Sequence, residues 1–493
     1  MFSNSKLLLL IAIPVTLLPS CKKEKPKPNI LLVIADDWSW PHSSHSGNHF
    51  IQTPNIDSLS RHGIVFTNAF VTSPSCSPSR ASILTGQWHW RLGEGVNLWS
   101  ALDPKYDVYP DLLEKEGYQV GYTGKGWGPG DWKSLGRTRN PAGPVYNDIT
   151  LEPPYSGISK LNYAKNFEVF LNKRSRTQPF CFWYGAIEPH RVYEKGSGIK
   201  AGKDISAVDV PACLPDVEEV RNDLLDYAVE VEWFDSQLGL MIQKLEEIGE
   251  LDQTIIVVTG DNGLPFPRAK TNLYDIGTHV PLIVFWPDKI LQNHAITDFI
   301  SLQDLAPTFL DIAGLKPPDD MTGRSIMPLI LSDRSGRIDA TRDHVLSGRE
   351  RHTPAQPDRK SGYPMRAIRT DSFLYIRNFE PDRWPVGLMD CSLRPFMDID
   401  ASPTKDYMIE HQTDADCIKL FTLGFLKRPL EELYDLSEDP GEFNNLADST
   451  AFSSIKKALS EQLMKELKET NDPRLVGGAE KINEYPYYGN RDY

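Results

Sequence analysis

Two strand-length apolar runs without polar alternation, Asn29-Ile-Leu-Leu-Val-Ile-Ala35 and Thr254-Ile-Ile-Val-Val-Thr259, constrain this chain more than any other feature. A strand with one wet face alternates polar and apolar residues. A strand without alternation is buried on both faces, as in a parallel sheet covered by helices. Phe180-Cys-Phe-Trp-Tyr184, the segment from Gly117 to Gly124 and the segment from Val280 to Trp286 read as further strands. Tyr109 to Glu116 reads as a short helix. Leu224, Ala228, Val231, Phe234, Leu238, Met241, Leu245 and Ile248 recur at helical spacing and stop at Gly249. Strands alternating with helices predict an α/β fold on a large, mixed, mostly parallel sheet flanked by helices. Ligands of such sheets bind beyond the carboxyl ends of the strands. Asp36, Asp37, Lys125, His190, Asp261 and Asn262 all fall there.

The pattern changes after about residue 340. Ala367 to Ile376 reads as a strand pair around Thr370-Asp371-Ser372, Glu432 to Pro440 as a strand and turn, and Phe452 to Leu467 as a terminal helix. The expected organisation is a main unit over residues 29–343 and a smaller C-terminal α+β subdomain over 344–493. No internal repeat is present.

The first twenty-odd residues stand apart. Lys6 precedes an apolar run from Leu7 to Leu18 that Pro14 interrupts. A spanning helix needs ~20 apolar residues, so the run reads as a secretory signal. Leu18-Pro19-Ser20-Cys21 resembles the lipobox of bacterial lipoproteins. The expected processing removes residues 1–20, lipidates Cys21 and leaves residues 21–28, CKKEKPKP, as a tether. The chain would then face the periplasm or cell surface, on the membrane only through that anchor. The alternative is an ordinary signal peptide cut near Ser20. The net charge of −14 over 493 residues argues against a nucleic-acid partner, which would need a basic face. Any attraction for an anion must come from a local basic pocket. Export permits disulfides among the six cysteines. Cys391 with Cys417 is one pairing the sequence leaves open.

Asp36-Asp37 and Asp261-Asn262 each close an apolar strand. One such pair alone reads as a helix or turn cap. Two pairs at equivalent strand ends offer four hard oxygen donors, which suit Ca²⁺ or Mg²⁺ and not zinc. Arg80, Lys125, His190 and Lys270 lie after strands or in Gly/Pro-containing loops. Singly they would be solvated charges. Beside a divalent cation they would form a pocket for a tetrahedral oxyanion. One thiol, Cys76, sits among the hydroxyls of Ser75, Ser77, Ser79, Ser82 and Thr85.

These segments resemble the type I sulfatases of the alkaline phosphatase superfamily over most of residues 28–447. Cys76-Ser-Pro-Ser-Arg-Ala-Ser-Ile-Leu-Thr-Gly86 matches the family signature C-x-P-S-R-x-x-x-L-T-G. PNILLVIADD and VVTGDNG match the metal motifs, PRAKTNLYDIGTHVPLIVFWP the later lysine segment, and ELYDLSEDPGEFNNLA the C-terminal subdomain. GDNGLPFPRAKTNLY, EPHR, GRERH and YPMRAIR are similar to the heparan N-sulfatase (sulfamidase) branch and its bacterial relatives. The resemblance implies an alkaline-phosphatase-like fold and hydrolysis of sulfate groups on saccharides, whether algal (ulvan-like) or glycosaminoglycan. It implies that a formylglycine-generating enzyme oxidises Cys76 to formylglycine, reading Pro78 and Arg80. It implies Ca²⁺, or less readily Mg²⁺, held by Asp36, Asp37, Asp261, Asn262 and the modified residue 76. Arg80, Lys125 and Lys270 would neutralise the sulfate oxygens. His190, together with Lys270, would protonate the leaving oxygen or nitrogen.

One position departs from the family pattern. Relatives often carry Lys-x-His after the Gly-rich turn, and here Trp127 stands in the His place of Gly124-Lys125-Gly126-Trp127. His352, then His279 and His89, are the candidates to replace it, although His279 reads better as a structural residue. His352, Arg349 and Arg191 are the expected substrate contacts. O-sulfate against N-sulfate stays open. So do a phosphodiesterase or phosphonate hydrolase of the same superfamily and a dead, carbohydrate-binding lipoprotein.

Overall fold

A computed structural model describes residues 1, 27–290, 293–391 and 394–489. The lipobox at Cys21 and most of the tether lie outside the described residues. The main sheet has seven strands: β1 (Asn29–Ala35), β2 (Ile64–Phe70), β3 (Gln119–Gly124), β4 (Phe180–Gly185), β5 (Thr254–Gly260), β6 (Leu282–Phe285) and β7 (His294–Ser301). Their order is β3-β4-β1-β5-β6-β2-β7. β6 runs antiparallel to both neighbours and every other pairing is parallel. The sheet is therefore mixed and mostly parallel, as the unalternated runs require. β1 and β5 are buried at every position. The long helix Glu218–Glu247 covers one face with Leu224, Ala228, Val231, Phe234, Leu238, Met241 and Leu245, all buried. The helices Cys76–Thr85 and Leu305–Ile312 pack on the opposite face. Each fully buried Leu, Ile or Phe contributes ~1.5–3 kcal/mol, so both faces are strongly committed to one register.

The C-terminal part holds a four-stranded antiparallel sheet, β11-β10-β9-β8, from β8 (His344–Arg349), β9 (Met365–Thr370), β10 (Phe373–Asn378) and β11 (Glu431–Asp435). Alternation works here in the ordinary way. Leu346, Ile368, Tyr375 and Leu433 face Leu459, Leu463 and Leu467 of the helix Ser453–Glu469. Met365, Ala367, Leu374, Ile376 and Tyr434 turn the other way, onto Leu273 and Tyr274 of the main unit. That contact lies three residues after Lys270, so the small sheet is docked against the edge where the site forms. No helix among the described residues is long and apolar enough to cross a membrane.

Candidate active site

Strand register brings the expected residues together. Ile34 pairs with Thr259 and with Gly185, and Gly124 pairs with Gly185, so β1, β3, β4 and β5 end in line. Asp36-Asp37 therefore leave the sheet beside Asp261-Asn262, with Lys125 beyond. Two glycines permit this crowding. A Cβ on Gly185 would stand 1.9 Å from the Lys125 carbonyl oxygen, and one on Gly124 would stand 1.9 Å from the Gly185 oxygen. The same Lys125 oxygen accepts from Arg80 Nη1 (2.6 Å) and Trp183 Nε1 (3.1 Å). Gly185→Ala is expected to destabilise the fold by ~1–3 kcal/mol, or more, through overpacking. It should also lower turnover by displacing Lys125. Thermal melts and steady-state kinetics on one preparation check both.

Cys76 opens the helix Cys76–Thr85, and all ten residues of that helix are buried. Small hydroxylated side chains suit such a helix because several find acceptors close by. Thr85 Oγ1 donates to the Ala81 carbonyl (2.8 Å), Thr72 Oγ1 donates to Ser82 Oγ (2.8 Å), and Ser77 Oγ donates to the Pro129 carbonyl. The helix points Cys76 Sγ at Asp36 Oδ1 (3.4 Å), and Asn262 Nδ2 lies 3.7 Å from the sulfur. One turn on, Arg80 Nε donates to Asp261 Oδ2 at 2.6 Å, with its Nη2 3.7 Å from Asp36. Lys125 Nζ donates to Asp36 Oδ2 (2.5 Å), and Lys270 Nζ contacts both oxygens of Asp37 (2.6 and 2.5 Å). Asp37 adopts φ 74°, a left-handed conformation that Asp tolerates better than most residues, and its N–H donates to Asp261 Oδ1 (3.1 Å).

Ligand atoms of Asp36, Asp37, Cys76 and Asp261 all lie within 4.8 Å of one another. Asn262 Oδ1, beside them, is buried and has no hydrogen-bond partner. A buried acceptor among carboxylates without a hydrogen-bond donor is available as a cation ligand. The set is all-oxygen apart from Cys76, so the residues fit a hard divalent ion.

Burial alone would raise the Asp36 carboxyl, but Lys125, with His190, Arg80 and Lys270, holds it well below the usual carboxylate range. Asp261 goes the other way, to about 6. Burial and the neighbouring carboxylates outweigh Arg80 there. Cys76 is pushed well above the ordinary thiol range by burial and by Asp36 and Asp261. A helix N-terminus usually favours a thiolate. Here burial and the carboxylates outweigh it, and the side chain stays a neutral thiol.

The site opens into a cleft of about 640 Å³. Asp36, Cys76, Lys125, His190, Lys270 and His352 line it, as the sequence predicts. His190 Nδ1 lies 2.6 Å from the Arg191 carbonyl. A carbonyl only accepts, so Nδ1 carries a proton and Nε2 is the atom 3.9 Å from Asp37 Oδ2. His352 Nδ1 bonds Ser75 Oγ (2.8 Å), immediately before Cys76. Burial, Lys270 and Arg349 keep that imidazole neutral.

Two expected substrate contacts are corrected. Arg349 is buried, pairs with Asp398, and donates to the Thr271 and Pro385 carbonyls at 2.8 Å. Arg191 is bidentate to Asp223 (2.7 and 2.8 Å) and donates to the Pro265 carbonyl. Neither lines the cleft, because each already has a buried carboxylate to neutralise. Their effect is indirect. Asp398 also holds Thr353 of the cleft wall (2.9 Å), and Asp223 also holds Thr404 (2.6 Å). Arg349→Ala, which strands Asp398, is expected to lower the unfolding free energy by about 3–5 kcal/mol. Denaturant titration reads this.

The other histidine candidates are also placed. His279 is stacked on Phe70 and Trp40, bonds the Thr67 carbonyl (2.9 Å), and is lowered to about 4 by burial, which is a structural setting. His89 is buried against Trp90, away from the cleft. Trp127 is buried behind the helix, where its Nε1 donates to the Ser77 carbonyl (3.2 Å). It braces the turn that carries Cys76 and offers no proton-transfer group. Cys391 and Cys417 are both unpaired thiols, and so are Cys76, Cys181 and Cys213. The sequence reading missed Asp400, Arg394, Met397, Trp99 and Tyr487, which complete the cleft. They come from loops and from the far C-terminus, and no periodicity or spacing marks them.

A sequence profile of the sulfatase family matches residues 28–315, and one for the C-terminal part of N-sulphoglucosamine sulphohydrolase matches residues 268–392. The human N-sulphoglucosamine sulphohydrolase is 29% identical, over 90% of this chain and 91% of the relative. An ulvan-active sulfatase of Formosa agariphila is 26% identical, over 98% and 84%. A solved structure in complex with its substrate, D-glucosamine-2-N,6-O-disulfate, superposes with a TM-score of 0.67 at 22% identity, over 91% of this chain and 99% of the other. That likeness supports the fold, and the profile spans more than half the chain. The protein therefore belongs to the sulfatase family, enzymes that hydrolyse sulfuric esters.

Proposed function

We propose that this is an exported sulfatase that removes sulfate from sulfated saccharides, with a formylglycine made from Cys76 and a bound divalent cation, Ca²⁺ ahead of Mg²⁺. The observation that carries the proposal is the setting of Cys76. Its thiol is raised, the opposite of what a thiolate nucleophile needs. Yet it stands where Asp36, Asp37 and Asp261 meet, beside Lys125 and Lys270. Hydrated formylglycine would supply a nucleophilic oxygen and a second hydroxyl for releasing sulfate. Asp36, Asp37, Asp261 and Asn262 would hold the cation, whose charge favours an ionised oxygen. Arg80 orients Asp261 and stays charged in the interior. Lys125 and Lys270 face the cleft and meet the sulfate oxygens. His190, with Nδ1 held by a backbone carbonyl, gives its Nε2 proton to the leaving oxygen or nitrogen when the ring is doubly protonated. His352 stays neutral beside Ser75 and fills the acceptor role that Trp127 cannot.

The relatives' names favour a glucosamine N-sulfate, a glycosaminoglycan O-sulfate or an ulvan sulfate as substrate. The test is release of inorganic sulfate from defined N-sulfated, 6-O-sulfated and ulvan oligosaccharides. The protein is produced together with a formylglycine-generating enzyme. Sulfate release with little turnover of matched phosphate esters is expected. Faster phosphate-ester hydrolysis would favour the phosphodiesterase reading, and no turnover at all would favour a binding protein. Lipid anchoring rests on Leu18 to Cys21, and Cys21→Ser is expected to shift the protein from the membrane fraction to the soluble fraction of a bacterial host.

A further inference from the structure

The cleft contains one carboxylate that the sulfatase chemistry does not use. Asp36, Asp37 and Asp261 each have a cationic partner at 2.6 Å or less. Asp400 has no such partner. Its Oδ2 is buried without a hydrogen bond, and the nearest cation, Lys270 Nζ, is 3.7 Å away. Oxygen atoms of Asp400 and Asp37 and a ring nitrogen of His190 lie within 4.8 Å of one another, so Asp400 stands over the proposed proton donor. Burial opposes its charge, but Lys270, with His190 and Arg394, keeps it ionised.

An ionised carboxylate beside an anion pocket repels a sulfate group. It is tolerated if the molecule bearing the sulfate also brings a hydrogen-bond donor to that wall. A buried acceptor left unmatched is disfavoured, whereas a charge-assisted bond to a hydroxyl or N–H is strong. Arg394 lines the same wall, anchored through Nη2 on the Met397 carbonyl (2.6 Å).

We infer that Asp400 determines specificity by accepting a hydrogen bond from a hydroxyl or N–H on the sugar carbon next to the sulfated position. The inference rests on the saccharide sulfatase reading and narrows it. The substrate class is a sugar whose neighbouring donor is unblocked, as opposed to one alkylated or substituted there. A simple aryl sulfate, which has no such donor, would bypass the contact.

The test uses the full-length matured protein, the best saccharide from the sulfate-release screen, its analogue O-methylated next to the sulfate, and 4-methylumbelliferyl sulfate. Asp400→Ala is expected to lower the ratio of kcat/KM for saccharide over aryl sulfate on the order of 30-fold, the loss of one hydrogen bond to a charged group. Wild type should discriminate against the methylated analogue by a similar factor, and the variant should not. Asp400→Asn, which keeps the acceptor and the shape, should recover part of the selectivity and shows that misfolding is not the cause. Equal losses on all substrates, or undiminished discrimination by the variant, overturn the inference alone. Wild type that cleaves only the aryl sulfate overturns the saccharide reading itself.

Discussion

Cys76→Ala is expected to reduce sulfate release by on the order of 10⁴-fold or more, the scale seen when a catalytic nucleophile is removed. The fold should survive, because the change removes only one sulfur from a well-supported helix start. Cys76→Ser sharpens the experiment. A serine hydroxyl at this position stands beside the same Asp36 and Asn262 that contact the thiol. It can attack sulfur once, but it has no second hydroxyl through which the bound sulfate can leave. The expected outcome is a burst of no more than one equivalent, followed by a stall. Steady turnover by the serine variant would show that residue 76 acts as an ordinary nucleophile and needs no conversion to an aldehyde. Rapid-quench measurement of released alcohol against enzyme concentration separates the two outcomes.

Removal of divalent cations is the second large effect. Asp36, Asp37, Asp261 and Asn262 are nearly fully buried, and three of the four are carboxylates. Lys125, Lys270 and Arg80 pair one to one with the three carboxylates, and Asn262 Oδ1 remains without a partner. A bound cation at 100–1,000 times its dissociation constant stabilises the folded state by about 2.7–4.1 kcal/mol. For a chain of 493 residues, that corresponds to a fall in Tm of roughly 3–4 °C on chelation. Turnover should be lost at the same time. Ca²⁺ should restore both better than Zn²⁺, because Asp36, Asp37, Asp261 and Asn262 offer oxygen donors, which suit a hard ion. A melting temperature indifferent to chelator and to added Ca²⁺ would contradict the cation reading.

Much of this site was legible because its residues end strands whose burial writes itself as apolar runs. Once β1 and β5 are read as buried neighbours, Asp36, Asp37, Asp261 and Asn262 must converge, and the register places them so. Where alternation or continuity fails, the sequence is quieter. β2 contains half-buried Thr67 and Asn68 at a register shift, and β7 begins on exposed positions, so neither reads as a strand. β6 reads as a strand, but its direction depends on the return of the chain and not on its composition. Arg191 and Arg349 carry the same letters as substrate contacts would. Only tertiary pairing with Asp223 and Asp398 makes them structural. Asp400 fails to stand out for the converse reason. Nothing local distinguishes it from Asp398, two residues earlier, yet one carboxylate is neutralised inside the wall and the other faces the cleft.

The histidine that relatives often carry at the Trp127 position would, on the proposed function, be replaced from the C-terminal sheet. His352 follows β8 by three residues, and its Nδ1 bonds Ser75 Oγ (2.8 Å). His352→Ala is expected to slow turnover by about 10²–10³-fold while leaving Ca²⁺-dependent stability intact, which kinetics and melts on one preparation measure.

The most direct measurement of the central claim is the chemical state of residue 76 in active protein. Peptide mass spectrometry of the Ser75-to-Arg80 region, combined with hydrazide labelling, gives the fraction of chains carrying an aldehyde there. The account predicts that specific activity rises in proportion to that fraction as a formylglycine-generating enzyme is titrated in. It would be contradicted by full activity in protein whose residue 76 is entirely an unmodified thiol.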